Sequence, residues 1–155
     1  MRLRLILTSE VLKDSALFAK VARRAIESAV MVNIATLRKF PQIPSLYQSG
    51  VRYRKEPEGV EDVCDIEEIL RRGWADCAML VAYRIAELRV REGERATMRF
   101  KWMRRPNTKK RFFHVLVRRA DGRVEDPSIR LGMHSGHGVT VGELPLNYRR
   151  VERLR

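Results

Sequence analysis

Apolar residues in the first forty positions recur at the spacing of an amphipathic helix. The pattern predicts one long helix, or two consecutive ones, from about Ser9 to Phe40, and Pro41 and Pro44 end it. The positions that define the apolar face are Leu12, Phe18, Ala22, Ile26, Ala29 and Ile34.

Alternation of apolar and basic residues predicts half-exposed strands in two other segments, residues 1–7 and residues 98–102. A third run, residues 112–117, is apolar on both faces, which is typical of a central strand. A short strand is also expected at residues 51–53 within an irregular segment. These elements and the predicted helices indicate an α+β domain.

A further helix is predicted from Cys77 to Glu92, because the run contains good helix formers and Gly93 follows it. Asp76 is a favoured N-cap residue, which places Cys77 in the first turn. Polar residues recur at intervals of three and four and predict one solvent-exposed face, formed by Arg84, Glu87 and Arg91.

Cys77 is a candidate nucleophile. A thiol attacks as the thiolate, and a reference pKa of about 8.5 leaves few thiols ionised at neutral pH. The positive end of the helix dipole favours the thiolate, and the amides of Ala78 and Met79 could also hold an oxyanion. The second cysteine, Cys64, is interpreted as a small buried hydrophobe, with a Cys64–Cys77 disulfide as the alternative.

His114 and Asp126 could complete a nucleophile, base and carboxylate arrangement. His114 lies within the apolar run 112–117, where a lone histidine is more often a core residue than a base. Asp126 begins an Asp-Pro-Ser sequence that is also a common turn. The two residues can meet only if the hairpin between them has a three-residue loop with Gly122 at positive φ. Arg119 then pairs with Arg123, and Asp126 lies opposite Leu116, on the face of His114.

These three motifs resemble the core of the transglutaminase-like superfamily, a branch of the papain-like cysteine enzymes. The resemblance rests on Asp76-Cys77 opening a helix after a glycine, on the strand around His114, and on Asp126 after a glycine-containing turn. It covers roughly residues 60–133. Residues 47–53 and 71–74 are also similar to short transglutaminase-like proteins encoded by tailed bacteriophages.

The resemblance implies a papain-like core at residues 46–133 of a single domain, with a strand and helix at 1–45 and a basic tail at 134–155. It implies that Cys77 is the nucleophile, His114 the general base and Asp126 the orienting group. The expected function is thiol-dependent acyl chemistry on a peptide or amide, without a cofactor or a metal. Hydrolysis is preferred, and acyl transfer to an amine is the alternative. Candidates for the oxyanion site or cleft, of which Gln48 and Trp74 are chosen by donor chemistry alone, are Asp76, Trp74 and Gln48.

Charge supports an alternative from a different class. Lys and Arg number 32 against 19 Asp and Glu, which gives a net charge of +13. Such a surface attracts polyanions, including nucleic acid without sequence preference, and the binding would depend steeply on salt.

Many transglutaminase-like proteins have an acidic residue soon after the nucleophile, where this chain has Ala78-Met79. The alternative is therefore a non-catalytic structural or assembly protein, such as a phage virion component. The candidate residues for binding a polyanion are Arg104, Arg105, Lys109, Lys110 and Arg111.

No apolar run reaches membrane-spanning length, and residues 1–7 do not resemble a signal peptide. The expected location is the cytoplasm, or a virion if the protein is phage-encoded. His134 and His137 have a spacing that zinc could use, but the surrounding glycines favour a flexible loop that borders the cleft.

Overall fold

The computed structural model describes residues 2–6, 14–57, 60–104, 111–134 and 139–143, of which Arg111 and residues 139–143 are described by their backbone alone. The fold mixes helices with small sheets, in agreement with the predicted α+β class. In chain order the elements are β1 (Arg2–Ile6), α1 (Ser15–Lys39), a 3-10 turn (Leu46–Gln48), β2 (Arg52–Tyr53), β3 (Val60–Cys64), α2 (Ile66–Arg72), β4 (Trp74–Ala75), α3 (Cys77–Arg91), β5 (Thr97–Arg104), β6 (Arg111–Arg118), β7 (Val124–Glu125), α4 (Pro127–Arg130) and β8 (Val139–Glu143).

The largest sheet is antiparallel and has the strand order β7-β6-β5-β8. Strand β6 lies inside this sheet, which confirms the central strand predicted at residues 112–117. Two smaller pairs accompany it: β1 pairs antiparallel with β3, and β2 pairs parallel with β4. The strands predicted at residues 1–7, 51–53 and 98–102 are therefore present.

Helix α1 is one continuous helix. Its N-cap is Asp14, whose carboxylate accepts hydrogen bonds from the amides of Ala16 and Leu17, both at 2.9 Å. It ends at Lys39, and Pro41 follows two residues later. The predicted start near Ser9 lies outside the described residues. The buried face of α1 packs on α3 and consists of Phe18, Ile26, Ala29, Val30, Asn33 and Leu37.

Helix α3 is buried on nearly all sides. Leu80, Tyr83 and Leu88 are fully buried, and each apolar side chain of this size contributes about 1.5–3 kcal/mol when removed from water. Of the exposed face predicted for this helix, Arg91 is exposed and Arg84 is partly buried, but the prediction is wrong for Glu87. Glu87 is only 3% exposed, because it forms ion pairs with Arg84 and Arg91 beneath the 3-10 turn.

The hairpin between β6 and β7 has the predicted register. The Arg119 amide donates to the Arg123 carbonyl at 2.8 Å, and Gly122 has φ +87°. Val117 pairs with Glu125, so the same register brings Asp126 opposite Leu116. Strand β7 ends after two residues because Pro127 begins α4, where its missing N–H is tolerated.

Candidate active site

Cys77 is the first residue of α3, and Asp76 is its N-cap, as the sequence predicts. The half-buried thiol lies against β6, where its sulfur accepts a hydrogen bond from the amide of Val115. In the register of the hairpin, Val115 would pair with residue 127. Because Pro127 turns the chain into α4, that amide can serve the sulfur of Cys77 instead.

His114 directly precedes Val115 and is only 2% exposed. Its Nε2 lies 2.8 Å from Oδ2 of Asp126, which is the contact that the hairpin prediction requires. The other carboxylate oxygen of Asp126 caps α4 by accepting from the amides of Ser128 and Ile129 at 3.0 and 3.2 Å. Both oxygens of Asp126 are thus used, and the imidazole has a fixed partner on one side.

Cys77 and His114 line the same cavity, which has a volume of about 420 Å³. Nε2 of His114 is engaged by Asp126, so Nδ1 is the ring nitrogen that this contact leaves open. The structure therefore brings together the three residues for which the sequence predicted a nucleophile, a base and an orienting carboxylate.

The electrostatic surroundings of Cys77 differ from the expectation of an activated thiolate. Burial raises the pKa of the Cys77 thiol well above its ordinary value, and the charges of Asp76 and Glu61 raise it further. The hydrogen bond from the Val115 amide acts in the opposite direction. The position of Cys77 at the start of α3 is therefore not sufficient to lower the pKa of its thiol.

A cluster of carboxylates adjoins Cys77, and sequence reasoning missed most of it. Glu56, Glu61 and Asp76 each place an oxygen within 4.8 Å of the others. Burial and the charge of Asp76 raise the pKa of Glu56 to about 7, and the same two causes raise the pKa of Glu61. Three carboxylate oxygens could hold a hard cation, although Asp76 already caps α3 and Arg72 lies 3.7 Å from Glu56. Asp76 is far from Glu56 and Glu61 in the chain and β3 contributes only Glu61, so no spacing of residues predicts the cluster.

Tyr53 is a second residue that sequence reasoning missed. It lines the cavity, and burial together with the charges of Cys77, Asp76 and Asp126 raises the pKa of its hydroxyl. Its amide donates to the Leu131 carbonyl at 2.9 Å, which anchors β2 next to α4. Tyr53 therefore brings a neutral hydroxyl donor to the neighbourhood of the thiol.

The other oxyanion candidates from the sequence are not placed as expected. Among the described residues, neither Gln48 nor Trp74 lines the cavity. Gln48 is exposed and accepts from the Ser45 hydroxyl at 3.0 Å, whereas the Trp74 ring packs under the guanidinium of Arg72 at 3.5 Å. Asp76 does line the cavity.

The prediction that the amides of Ala78 and Met79 could hold an oxyanion is wrong. The carboxylate of Asp76 accepts from the amide of Met79 at 3.0 Å and from that of Ala78. These two amides are therefore not available to an oxyanion. The physical reason is that the capping residue and the incoming oxyanion require the same donors.

A network of ion pairs holds β7 against α3. Glu125 accepts from Arg84 at 2.8 Å, from Arg119 at 3.2 Å and from the Tyr47 hydroxyl. Because Glu125 directly precedes Asp126, the network fixes the end of β7 and with it the position of the carboxylate that contacts His114.

The remaining candidates are only partly described. Arg104 is an exposed residue at the end of β5, and the backbone of Arg111 begins β6, but Arg105, Lys109 and Lys110 lie outside the described residues. His134 is exposed, whereas His137 lies outside the described residues. Cys64 is 1% exposed. Both Cys64 and Cys77 are free thiols, so the alternative of a disulfide between them is not the state of this structure.

Comparisons with known proteins found no matching family model, no similar curated protein and no similar solved structure. Among the described residues, no helix combines the length and the apolar character needed to cross a bilayer.

Proposed function

We propose that this protein is a transglutaminase-like cysteine hydrolase that cleaves a peptide or related amide through an acyl-enzyme. One observation carries the proposal: the 2.8 Å contact between His114 and Asp126 lies beside a cavity that Cys77 also lines. The contact supports a base with a defined tautomer, because Asp126 accepts from Nε2–H and leaves Nδ1 as the acceptor.

The raised pKa of Cys77 favours general-base catalysis over a preformed ion pair. The sulfur of Cys77 attacks the carbonyl carbon while its proton moves to Nδ1 of His114. The tetrahedral intermediate then breaks its C–N bond, and the leaving amine takes that proton. The product of this half-reaction is a thioester on Cys77.

Water completes the cycle. It loses a proton to His114 as its oxygen attacks the thioester carbon, and the C–S bond then breaks. The thiolate of Cys77 recovers the proton, and the carboxylic acid leaves. Hydrolysis takes precedence over transfer to a second amine because water is always present as an acceptor.

The oxyanion of the tetrahedral intermediate needs donors other than Ala78 and Met79. We assign this role to the amide of Cys77 itself and to the hydroxyl of Tyr53. Burial keeps that hydroxyl protonated, so it can donate throughout the pH range of the reaction.

The test compares the two cysteines with iodoacetamide at pH 6. In the wild type, Cys77 should react much faster than Cys64, because His114 can take the proton as the sulfur attacks, and His114→Ala should slow it. Burial raises the pKa of Cys64 to about 12, so Cys64→Ser should leave the fast phase unchanged. Equal and slow alkylation of both thiols would contradict the proposal that the protein is an enzyme.

The carboxylates around Cys77 favour the second candidate function. Asp76 and Glu61 oppose ionisation of the thiol, as expected if the fold is kept as a scaffold without catalysis. The chain would then be a structural or assembly protein, such as a virion component, whose basic surface contacts a polyanion. Slow alkylation of Cys77 combined with salt-sensitive binding to DNA would support this second function.

A further inference from the structure

The cavity beside Cys77 is lined mostly by apolar side chains. Helix α1 contributes Phe18, Ala22 and Ala25, while β5 and β6 contribute Trp102 and Phe113. A volume of about 420 Å³ lies within the roughly 300–1,000 Å³ range of small-molecule sites. The space next to the thiol is therefore large enough for a bulky group of a substrate.

The aromatic wall of the cavity is held in place by its own contacts. Phe113 packs edge-on against Phe18 with ring centroids 4.8 Å apart, and it meets Trp102 at 5.5 Å. On its other side it stacks with Phe100, which is 3% exposed. Such packing fixes the rings before any ligand arrives, so the site needs little rearrangement to accept an apolar group.

We infer that this cavity receives a bulky apolar group on the acyl side of the bond that Cys77 attacks, such as the side chain of phenylalanine. The inference rests on the proposed function. The acyl part stays bound to the sulfur through both half-reactions, whereas the amine departs after the first. A cavity that Cys77 itself lines is therefore best placed to hold the acyl part.

The carboxylates of the cavity set a second condition on the substrate. An acidic side chain that entered beside Glu56, Glu61 and Asp76 would meet surroundings in which burial already disfavours a negative charge. The preferred acyl group is thus apolar and uncharged, although the net charge of the whole chain is strongly positive. Anions that are attracted to the outer surface are disfavoured at this site.

The experiment uses three N-acetyl amino-acid chloromethyl ketones that differ only in carrying the side chain of phenylalanine, glycine or glutamate. Each alkylates the sulfur and releases chloride, so the second-order rate reports how well the side chain is accommodated. Rates are divided by the iodoacetamide rate of the same variant. The phenylalanine reagent should exceed the glycine reagent by at least about tenfold, and the glutamate reagent should be the slowest.

Two variants locate the effect in the cavity. Ala22→Phe fills the space from α1 and should reduce the preference for phenylalanine over glycine severalfold, with Ala22→Leu as a milder form if the first fails to fold. Ala35→Phe makes the same change at an exposed position of the same helix and should leave the preference intact.

The outcomes separate the inference from the proposed function. Fast iodoacetamide alkylation of Cys77 without a side-chain preference overturns the inference and leaves the function standing. A phenylalanine preference that survives in folded Ala22→Phe also overturns the inference. Slow alkylation by every reagent overturns both.

Discussion

His114 and Asp126 are joined by a 2.8 Å hydrogen bond although no strand pairing connects them. Strand β7 ends at Glu125, and Asp126 already belongs to the start of α4 as its N-cap. One carboxylate therefore orients the imidazole and begins a helix at the same time.

The variant Asp126→Asn separates these two tasks. Asparagine keeps an oxygen for the cap but presents an amide N–H to Nε2, which forces the proton onto Nδ1 of His114. Hydrolysis of an N-acetyl-phenylalanine coumarin amide should fall on the order of 10⁴-fold, while the thermal midpoint changes little. The control Asp121→Asn alters an exposed carboxylate in the same hairpin. An active Asp126→Asn protein would remove Asp126 from the mechanism.

Removal of the Tyr53 hydroxyl should affect hydrolysis far more than alkylation. Tyr53→Phe deletes a donor to the developing oxyanion, and loss of one such donor costs about 10²–10³-fold in kcat. Iodoacetamide forms no oxyanion, so its reaction with Cys77 should slow much less. The two rates are measured on the same preparation, and equal losses in both would assign Tyr53 a packing role.

The carboxylate cluster predicts how stability depends on pH. Burial raises the pKa of Glu56 from its ordinary 4.5 to about 7, so the folded state binds protons that the unfolded chain has already lost. The stabilising effect is complete below pH 4.5 and is lost as the pH rises through 7. The free energy of unfolding, measured by urea denaturation, should fall over this interval.

The variant Glu61→Gln should make that decline shallower, since Glu61 shares the cluster and its pKa is raised in the same direction. Burial raises the pKa of Glu61 to about 8, so above that pH the same change removes a charge that raises the pKa of Cys77, and alkylation should become faster there. If the free energy of unfolding of the variant fell with pH as steeply as that of the wild type, the cluster would not be the source of the pH dependence.

Glu125→Gln tests the ion-pair network that holds β7. The partly buried guanidinium groups of Arg84 and Arg119 would lose a charged acceptor, which should cost about 2 kcal/mol of unfolding free energy. Glu27→Gln is the matched control, because its pair with Arg24 is exposed, and such pairs contribute about 0–1 kcal/mol. Equal effects of the two variants would contradict a role for the network.

The basic surface predicts binding to DNA that depends on salt. The affinity should drop by about 10³–10⁵ between 50 and 200 mM salt if six to ten phosphates are contacted. Charge reversal at Arg104, Arg105, Lys109 and Lys110 should abolish binding without changing alkylation of Cys77. The control reverses four exposed basic residues of α1, namely Lys20, Arg24, Arg38 and Lys39. Binding that does not depend on salt would show that these basic residues are solvent-exposed and have no role in binding DNA.

Local patterns were sufficient to predict the elements that carry Cys77, His114 and Asp126. The N-cap at Asp76 and the loop at Gly122 depend on neighbouring residues, and hairpin pairing then determines which side chains share a face. Both were therefore accessible from the sequence.

Contacts between distant segments could not be predicted in this way. Glu87 has the helical spacing of an exposed residue, yet the 3-10 turn at Leu46 covers it and two arginines pair with it. Likewise, Glu56 and Asp76 meet only because β2, which precedes Glu56, pairs with β4, which precedes Asp76. Such placements depend on how whole elements pack, which the spacing of residues does not encode.

Because β7 ends early, one backbone amide of the sheet contacts the sulfur of Cys77 and responds to its chemical state. The Val115 N–H, which in a longer hairpin would face a neighbouring backbone, has a sulfur atom as its acceptor. Hydrogen exchange at this single amide should therefore follow the state of Cys77, slowing when the thiol ionises and accelerating when the sulfur is alkylated. Proline at position 127 thereby links the rigidity of a strand to the reactivity of a cysteine fifty residues away in the chain.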